Sequence, residues 1–355
     1  MISYEKLLKD IKPLSKEAMK EASTKLDSLA KPIGSLGRLE DLAIQTAGIT
    51  GQVKNEFNKK CTVVMCADNG VWEEGVSSCP QYITTTQTIN FTKGLTGISV
   101  LCRQASMDVK IVDIGINSNV ESPLILNRKI RKGTSNMAKG PAMTREEAIR
   151  AIEVGIEVVK ELKLQGYKVL GTGEMGIGNT STSSAILMAL TGCDVNIAVG
   201  KGAGLTEEGY ENKKRIIKQA IEINNPSKDD PLEVLYKVGG FDIAGLVGCY
   251  IGAAYYRIPI IIDGFISASA ALVASRMNPL IKEYMIPSHA SAEPGFTLIM
   301  EELGLKPLLN LNMRLGEGTG CPLAVNLLEA ANRIVCEMAT FEEAQINDDY
   351  LIDIR

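Results

Sequence analysis

Along the first part of the chain, apolar positions recur at helical spacing over residues 3–11 and again over 15–29, where Met19 and Ala22 share a stripe behind Ser15. A third helix is expected from about Leu36, after the connector "KPIGSLG", whose glycines suggest a backbone that must approach something closely. From Cys61 the rhythm changes. Short apolar, β-branched runs alternate with helical stretches: "CTVVMCAD" (61–68), "VKIVDIGI" (109–116), "KVLGTGEM" (168–175), "NIAVGKG" (196–202) and "IPIIIDGF" (258–265). Continuous rather than alternating apolarity marks strands buried on both faces, so the expected class is α/β, a parallel sheet covered by helices. The tail carries a further helix at 321–339 and a shorter one to the end, which are expected to pack with the N-terminal helices as a small helical subdomain. There is no internal repeat.

Each apolar run ends in Gly, Asp or Glu. Ligands of open parallel sheets bind beyond the carboxyl ends of the strands, so Asp68, Asp113, Glu174 and Asp263 are expected along one rim. The 355 residues are 45% hydrophobic, with a net charge of −4 and dispersed Lys and Arg, which excludes the basic surface that nucleic-acid binding requires. The opening "MISYEKLLKDIKPLSKEAMK" lacks the apolar core of a secretory signal, and no run reaches the ~18 apolar residues of a membrane span. The 8 cysteines include no Cys-x-x-Cys pair, and Cys61, Cys66, Cys102 and Cys249 sit in apolar runs. A cytoplasmic protein with reduced thiols, and with no metal or disulfide framework, is expected.

Candidate chemistry lies in the glycine loops. Gly171-x-Gly173-x-x-Gly176 follows a strand and precedes a helix, the formal dinucleotide fingerprint, but Glu174 would place a negative charge where a pyrophosphate must sit. A better fit is a turn in which residues Gly176 to Ser181, among them Gly178, Asn179 and Thr180, present N–H groups and hydroxyls at a helix N-terminus, an anion site suited to one phosphate. A second loop, "VGKGAGL" (199–205), contains Gly202, and Lys213 downstream is either a counter-charge to that phosphate or a solvated helix-face lysine. The one histidine, His289, has no Gly-x-Ser-x-Gly elbow to serve and reads as a structural or hydrogen-bonding residue, with Ser288 and Ser291 more suspect. Cys79, Pro80 and Gln87 are candidates to line a mostly apolar pocket with one amide, although Gln87 reads equally as an exposed helix residue. In "MRLGEGTG" (313–320), Glu317 stands between glycines in a turn before an apolar helix; by itself it reads most simply as a solvated loop carboxylate.

Taken together, "KPIGSLGRLEDLA", "ADNGVWEEGV", "NFTKGLTGISVL", "GEMGIGNTS", "KVGGFDIAGLVG", "IIDGFISASAALVA", "IPSHASAE" and "MRLGEGTG" run in order across nearly the whole chain and resemble the nicotinate-nucleotide:dimethylbenzimidazole phosphoribosyltransferase family, which makes the lower-ligand nucleotide of cobamides. The resemblance implies a Rossmann-like parallel sheet over 56–305. It also implies a small helical domain from 1–55 and 306–355, whose 313–320 loop enters the active site, and a homodimer or a heterodimer with a paralogue. By the same resemblance Glu317 is the general base and Glu174 a second active-site carboxylate. Gly176, Gly202, Lys213 and Ser291 surround the phosphate and ribose, and Cys79, Gln87, Met175 and Leu315 the aromatic base. The substrates implied are nicotinate mononucleotide and a benzimidazole, purine or phenol, with no cofactor. Ser181-Thr182-Ser183-Ser184 stands where the family pattern is Thr-Pro-Ala-Ala, and Cys79 where a hydroxyl is expected; both bear on which base is accepted. The chemistry is consistent with one carboxylate, because a pyridinium leaves as a neutral ring and needs no general acid, while the incoming N–H or O–H must lose its proton. Readings of other classes are an NAD-dependent oxidoreductase using the Gly171 loop and a non-catalytic partner subunit.

Overall fold

In the computed structural model, which describes residues 3–349 and 351–353, six parallel strands form one sheet. They are β1 (Lys60–Ala67), β2 (Asp108–Gly115), β3 (Ile125–Asn127), β4 (Val169–Met175), β5 (Ile260–Ile262) and β6 (Met285–Pro287), in the order β3-β2-β1-β4-β5-β6. The strand order reverses between β1 and β4, which is where a doubly wound sheet opens a crevice for ligand.

Every residue of β1 is buried, and its side chains divide by parity as a pleated strand requires. Val63, Met65 and Ala67 join an apolar cluster built with the helices Arg145–Leu164, Phe241–Tyr256 and Phe265–Met277. Val64 and Cys66 join the other, built with Arg38–Thr50, Gly97–Gln104 and Gly320–Glu337. The continuous apolarity seen in the sequence therefore reflects two covered faces. The chain ends are joined: Ala30 N–H donates to the Ala339 carbonyl (2.9 Å), and Phe341 N–H to that of Ser28 (3.0 Å). The first helix, Tyr4–Asp10, instead buries Tyr4 and Leu7 in the cluster on the opposite face.

Three expectations need correction. The run at 196–202 is no strand; Val195–Ala198 is a helical turn whose N-terminus is capped by the Asp194 carboxylate, accepting from Asn196 N–H at 2.9 Å, and a glycine loop follows. Ala198 and Val199 of that run are buried in the apolar cluster shared with the helices Asn179–Thr191 and Glu207–Asn224, while Ile197 is exposed. In the connector, a Cβ added at Gly37 would meet nothing within 4 Å, so this glycine makes no close approach; what it supplies is a φ of +50° at the start of a helix. The connector is anchored instead by a buried ion pair, Lys31–Glu40 at 2.9 Å, with Glu40 also accepting from Leu36 N–H. Finally, the end of the chain shows turns at 341–345 rather than a short helix; residues 350, 354 and 355 lie outside the described residues. No helix among the described residues is long and apolar enough to cross a membrane.

Candidate active site

A cavity of about 340 Å³ opens at the carboxyl ends of β4 and β5. One wall is the turn after β4, which runs into the helix Asn179–Thr191; another is the 314–317 segment, which leads into the helix Gly320–Glu337. Gly178 takes a φ of +96° as the helix N-cap; the Asn179 and Ser181 N–H groups are taken by the Gly176 and Gly178 carbonyls (3.1 and 2.9 Å), while the Thr180 N–H has no backbone partner among the described residues.

Glu317 is 6% exposed and adopts a left-handed backbone, φ +64°, which costs a non-glycine residue on the order of 1–2 kcal/mol. The loop holds it there by close packing against β4. A Cβ on Gly173 would fall inside 3.0 Å of the Glu317 carbonyl, and one on Gly316 would meet Glu174 Oε1 at 2.6 Å. The first two glycines of the apparent dinucleotide fingerprint thus make room for this loop and for the helix it leads into: Gly173 faces Glu317, and Gly171 faces Cys321 at the start of that helix. Gln87 Nε2 donates to Glu317 Oε1 at 2.6 Å, so Gln87 is not the exposed helix residue of the alternative reading. Glu317 Oε2 is buried and lies beside Gly97, at the start of the helix Gly97–Gln104. Burial raises the Glu317 pKa above the ordinary carboxylate range, opposed by the Gln87 hydrogen bond and by the Ile98 amide.

Beneath it lies a cluster of acids. Glu174 Oε1 accepts from Glu317 N–H at 3.4 Å, and its Oε2 accepts from the Asn179 amide, which also donates to Asp242 Oδ2 at 2.9 Å. Burial, with the Asp242 charge adding, pushes Glu174 up to about 8; burial also lifts Asp263 to about 7 and Asp242 to about 6. Of the four rim acids expected from sequence, Glu174 and Asp263 line the cavity. Asp68 instead accepts from Asn117 N–H (2.8 Å), and Asp113 pairs with Lys129 (3.1 Å).

Gly176, Gly178, Asn179, Thr180, Gly202, Ser291, Gln87, Met175 and Leu315 come together with Glu174 and Glu317 on this cavity. Lys213, Cys79 and Pro80 are not on its wall. Lys213 is 1% exposed, which overturns the solvated-lysine reading; its Nζ donates to Thr180 Oγ1 (2.8 Å) and to the Gly200 carbonyl (3.1 Å), tying the two glycine loops together from behind. Burial draws its pKa down to about 8, against the pull of Glu293. Ser181 to Ser184 are buried and face away from the cavity, Ser184 Oγ donating to the Ala198 carbonyl at 2.7 Å. His289 lines the cavity, with Nδ1 3.0 Å from Ser288 Oγ, and burial lowers its pKa.

Against known proteins, the family model DBI_PRT, described as phosphoribosyltransferase, matches residues 11–346. The chain belongs to this family. It is 56% identical over 345 residues to the nicotinate-nucleotide–dimethylbenzimidazole phosphoribosyltransferase of Clostridium acetobutylicum, covering 97% of this chain and 98% of that protein. It is 55% identical to the enzyme of the same name from Clostridium tetani, covering 99% and 97%. A crystal structure of CobT from Thermus thermophilus superposes with a TM-score of 0.89 at 39% identity, covering 94% of this chain and 99% of that one. The chain is thus a phosphoribosyltransferase enzyme with the α/β fold of its relatives.

Several residues of the phosphoribosyltransferase cavity escaped sequence reasoning: Ser77, Ile83, Phe265, Glu293 and Arg314. Arg314 stands three residues before Glu317 and was legible as a cation in that loop. Ser77 and Ile83 flank the Cys79–Pro80 pair, and only the path of the chain decides which of the four meets the cavity.

Proposed function

We propose that the enzyme transfers the 5-phosphoribosyl group of nicotinate mononucleotide to a cobamide lower-ligand base, 5,6-dimethylbenzimidazole or a related azole or phenol, with inversion at C1′. The relatives are named for the nucleotide and for dimethylbenzimidazole, and the cavity has the parts such a transfer needs. The C1′–N bond breaks with its electron pair passing to the pyridinium nitrogen, so nicotinate departs with a neutral ring. A phenol oxygen, or the lone-pair nitrogen of an azole, bonds to C1′ from the opposite face, and the proton lost, from that oxygen or from the azole's other nitrogen, passes to Glu317. General-base assistance of this kind contributes about 10²–10⁴ in rate.

The observation that carries this reading is the buried Glu317 carboxylate on the cavity wall, fixed through Oε1 by Gln87 and without an ion-pair partner among the described residues. Desolvation makes this carboxylate a stronger base than one in water. Glu174 lies below, where its carboxylate, in the ionised form, would stabilise the positive charge developing on the ribose. The Gly176–Thr180 turn, Gly202 and Ser291 would receive the phosphate, with Lys213 supporting Thr180 from behind. Met175, Ile83 and Leu315 would flank the base. The exposed apolar side chains Leu95, Val100 and Leu315 near the cavity mouth fit a dimer, of like subunits or with a paralogue.

The test is incubation with nicotinate mononucleotide and a panel of azoles, purines and phenols, with mass detection of ribotides and of released nicotinate. Glu317→Gln is expected to keep the fold and lower turnover by about tenfold or more. Near-normal turnover would remove Glu317 from the role, and absence of nicotinate release with every acceptor would defeat the reaction assignment.

A further inference from the structure

Asp263 follows β5 directly and is buried, yet its carboxylate makes no ion pair with any described cation. Its two oxygens are spent on the backbone of the 313–320 loop: Oδ2 accepts from Gly318 N–H at 3.0 Å and Oδ1 from Gly320 N–H at 2.6 Å. These two amides bracket Thr319, and the first of them belongs to the residue directly after Glu317. A neutral side chain cannot replace this arrangement, because two converging N–H groups require two acceptors; an amide would point its own N–H₂ at one of them. The aspartate is itself fixed from below. Its N–H donates to Ser267 Oγ at 3.3 Å, and its carbonyl accepts from Ser288 Oγ at 3.0 Å. Ser267 is locked by Tyr250 OH at 2.7 Å and by Thr172 Oγ1, all three side chains being buried. The groups that face the carboxylate are Glu317 and the Cys321 thiol on the loop and helix side, Glu174 on β4, and His289 beyond β6. Two of these are carboxyl groups and none is a standing cation, so burying another negative charge here is costly unless the loop amides require it.

We propose that Asp263 is a positioning residue for the transfer: its carboxylate clamps the amides of residues 318 and 320 and so holds Glu317 in its left-handed conformation, with the carboxylate turned onto the cavity. The proposal rests on Glu317 being the base. It accounts for a residue that sits on the cavity wall, carries an acid, and has no chemical step of its own to perform.

Asp263→Asn is close to isosteric and removes one acceptor. Its kcat with nicotinate mononucleotide and 5,6-dimethylbenzimidazole is expected to fall by on the order of 10²-fold, the cost of misplacing a reacting group by about 1 Å, with KM for the nucleotide nearly unchanged. Because the loss acts through Glu317, the double variant Asp263→Asn/Glu317→Gln is expected to turn over within about twofold of Glu317→Gln alone. Hydrogen exchange measured by mass spectrometry over residues 313–322 should be faster in Asp263→Asn. Multiplying losses in the double variant, or an unchanged kcat, would overturn the proposal. If Glu317→Gln itself turned over normally, the base assignment would fail, and unaltered exchange of the 313–322 segment in Asp263→Asn would then separately refute the clamp. Ser267→Ala, which disturbs Asp263 only through its N–H, should show a smaller kcat loss that is likewise masked by Glu317→Gln. Should Asp263→Asn fail to fold, wild-type turnover in Ser267→Ala would be the refuting result.

Discussion

Gly173→Ala tests whether the apparent nucleotide fingerprint is really a seat for the catalytic loop. A methyl group at 173 would lie inside 3.0 Å of the Glu317 carbonyl oxygen, 2.9 Å from its carbonyl carbon and 3.1 Å from Gly318 Cα. All three are backbone atoms, which cannot rotate away as a side chain could. To regain ordinary van der Waals separation the carbon has to recede by about 0.5 Å and the oxygen by more. Since a 1 Å error in a reacting group costs ~10²-fold, kcat should fall by about tenfold or more. Overpacking a buried site costs about 1–3 kcal/mol, a Tm lowered by a few degrees in a chain of this size. The assay is steady-state release of nicotinate with saturating 5,6-dimethylbenzimidazole, beside a thermal melt. Gly171→Ala is the control: its Cβ would collide with Cys321 and Thr62 rather than with Glu317, so it should lose stability with less effect on kcat per degree of Tm. If Gly173→Ala raised KM for the nucleotide and left kcat intact, the glycine would serve phosphate approach and the packing argument would be wrong.

Two further outcomes concern titration. Glu174 carries a folded-state pKa of about 8, above its unfolded value, so the native protein binds the proton more tightly and the fold is favoured at acid pH; that contribution is lost as pH rises from about 4 through about 8. Melts of the ligand-free enzyme should accordingly show Glu174→Gln, a mimic of the protonated form, gaining stability over the parent at pH 9 relative to pH 5; a difference independent of pH would contradict the burial argument. Gln87 donates to the ionised form of Glu317 and lowers its pKa, so Gln87→Ala should move the acid limb of the kcat/KM profile to higher pH. An unmoved limb would show that this hydrogen bond is absent in the working enzyme.

The sheet was legible in the sequence because burial on both faces imposes continuous apolarity, a local and one-dimensional signal; β4 and β5 each stand within a recognisable run, and β1 and β2 match theirs to within one residue at each end. The 196–202 run misled for the same reason: apolar residues packing under a helical turn look like a strand until Asp194 is seen to cap it. β3 and β6, at three residues each, are too short to carry a pattern. The motif residues, too, could be read off individually, and the order of the motifs along the chain pointed to the family. What the linear chain does not contain is distance. Glu317 and Glu174 are separated by 143 residues, yet one accepts a hydrogen bond from the other's backbone, and Gln87 reaches Glu317 across 230. Whether a glutamate is solvated or desolvated, and whether a lysine faces water or props a loop from behind, depends on which surfaces the crossovers bring together. Burial and hydrogen-bond partners set the pKa and reactivity of these groups, so their chemistry was decided by the tertiary structure.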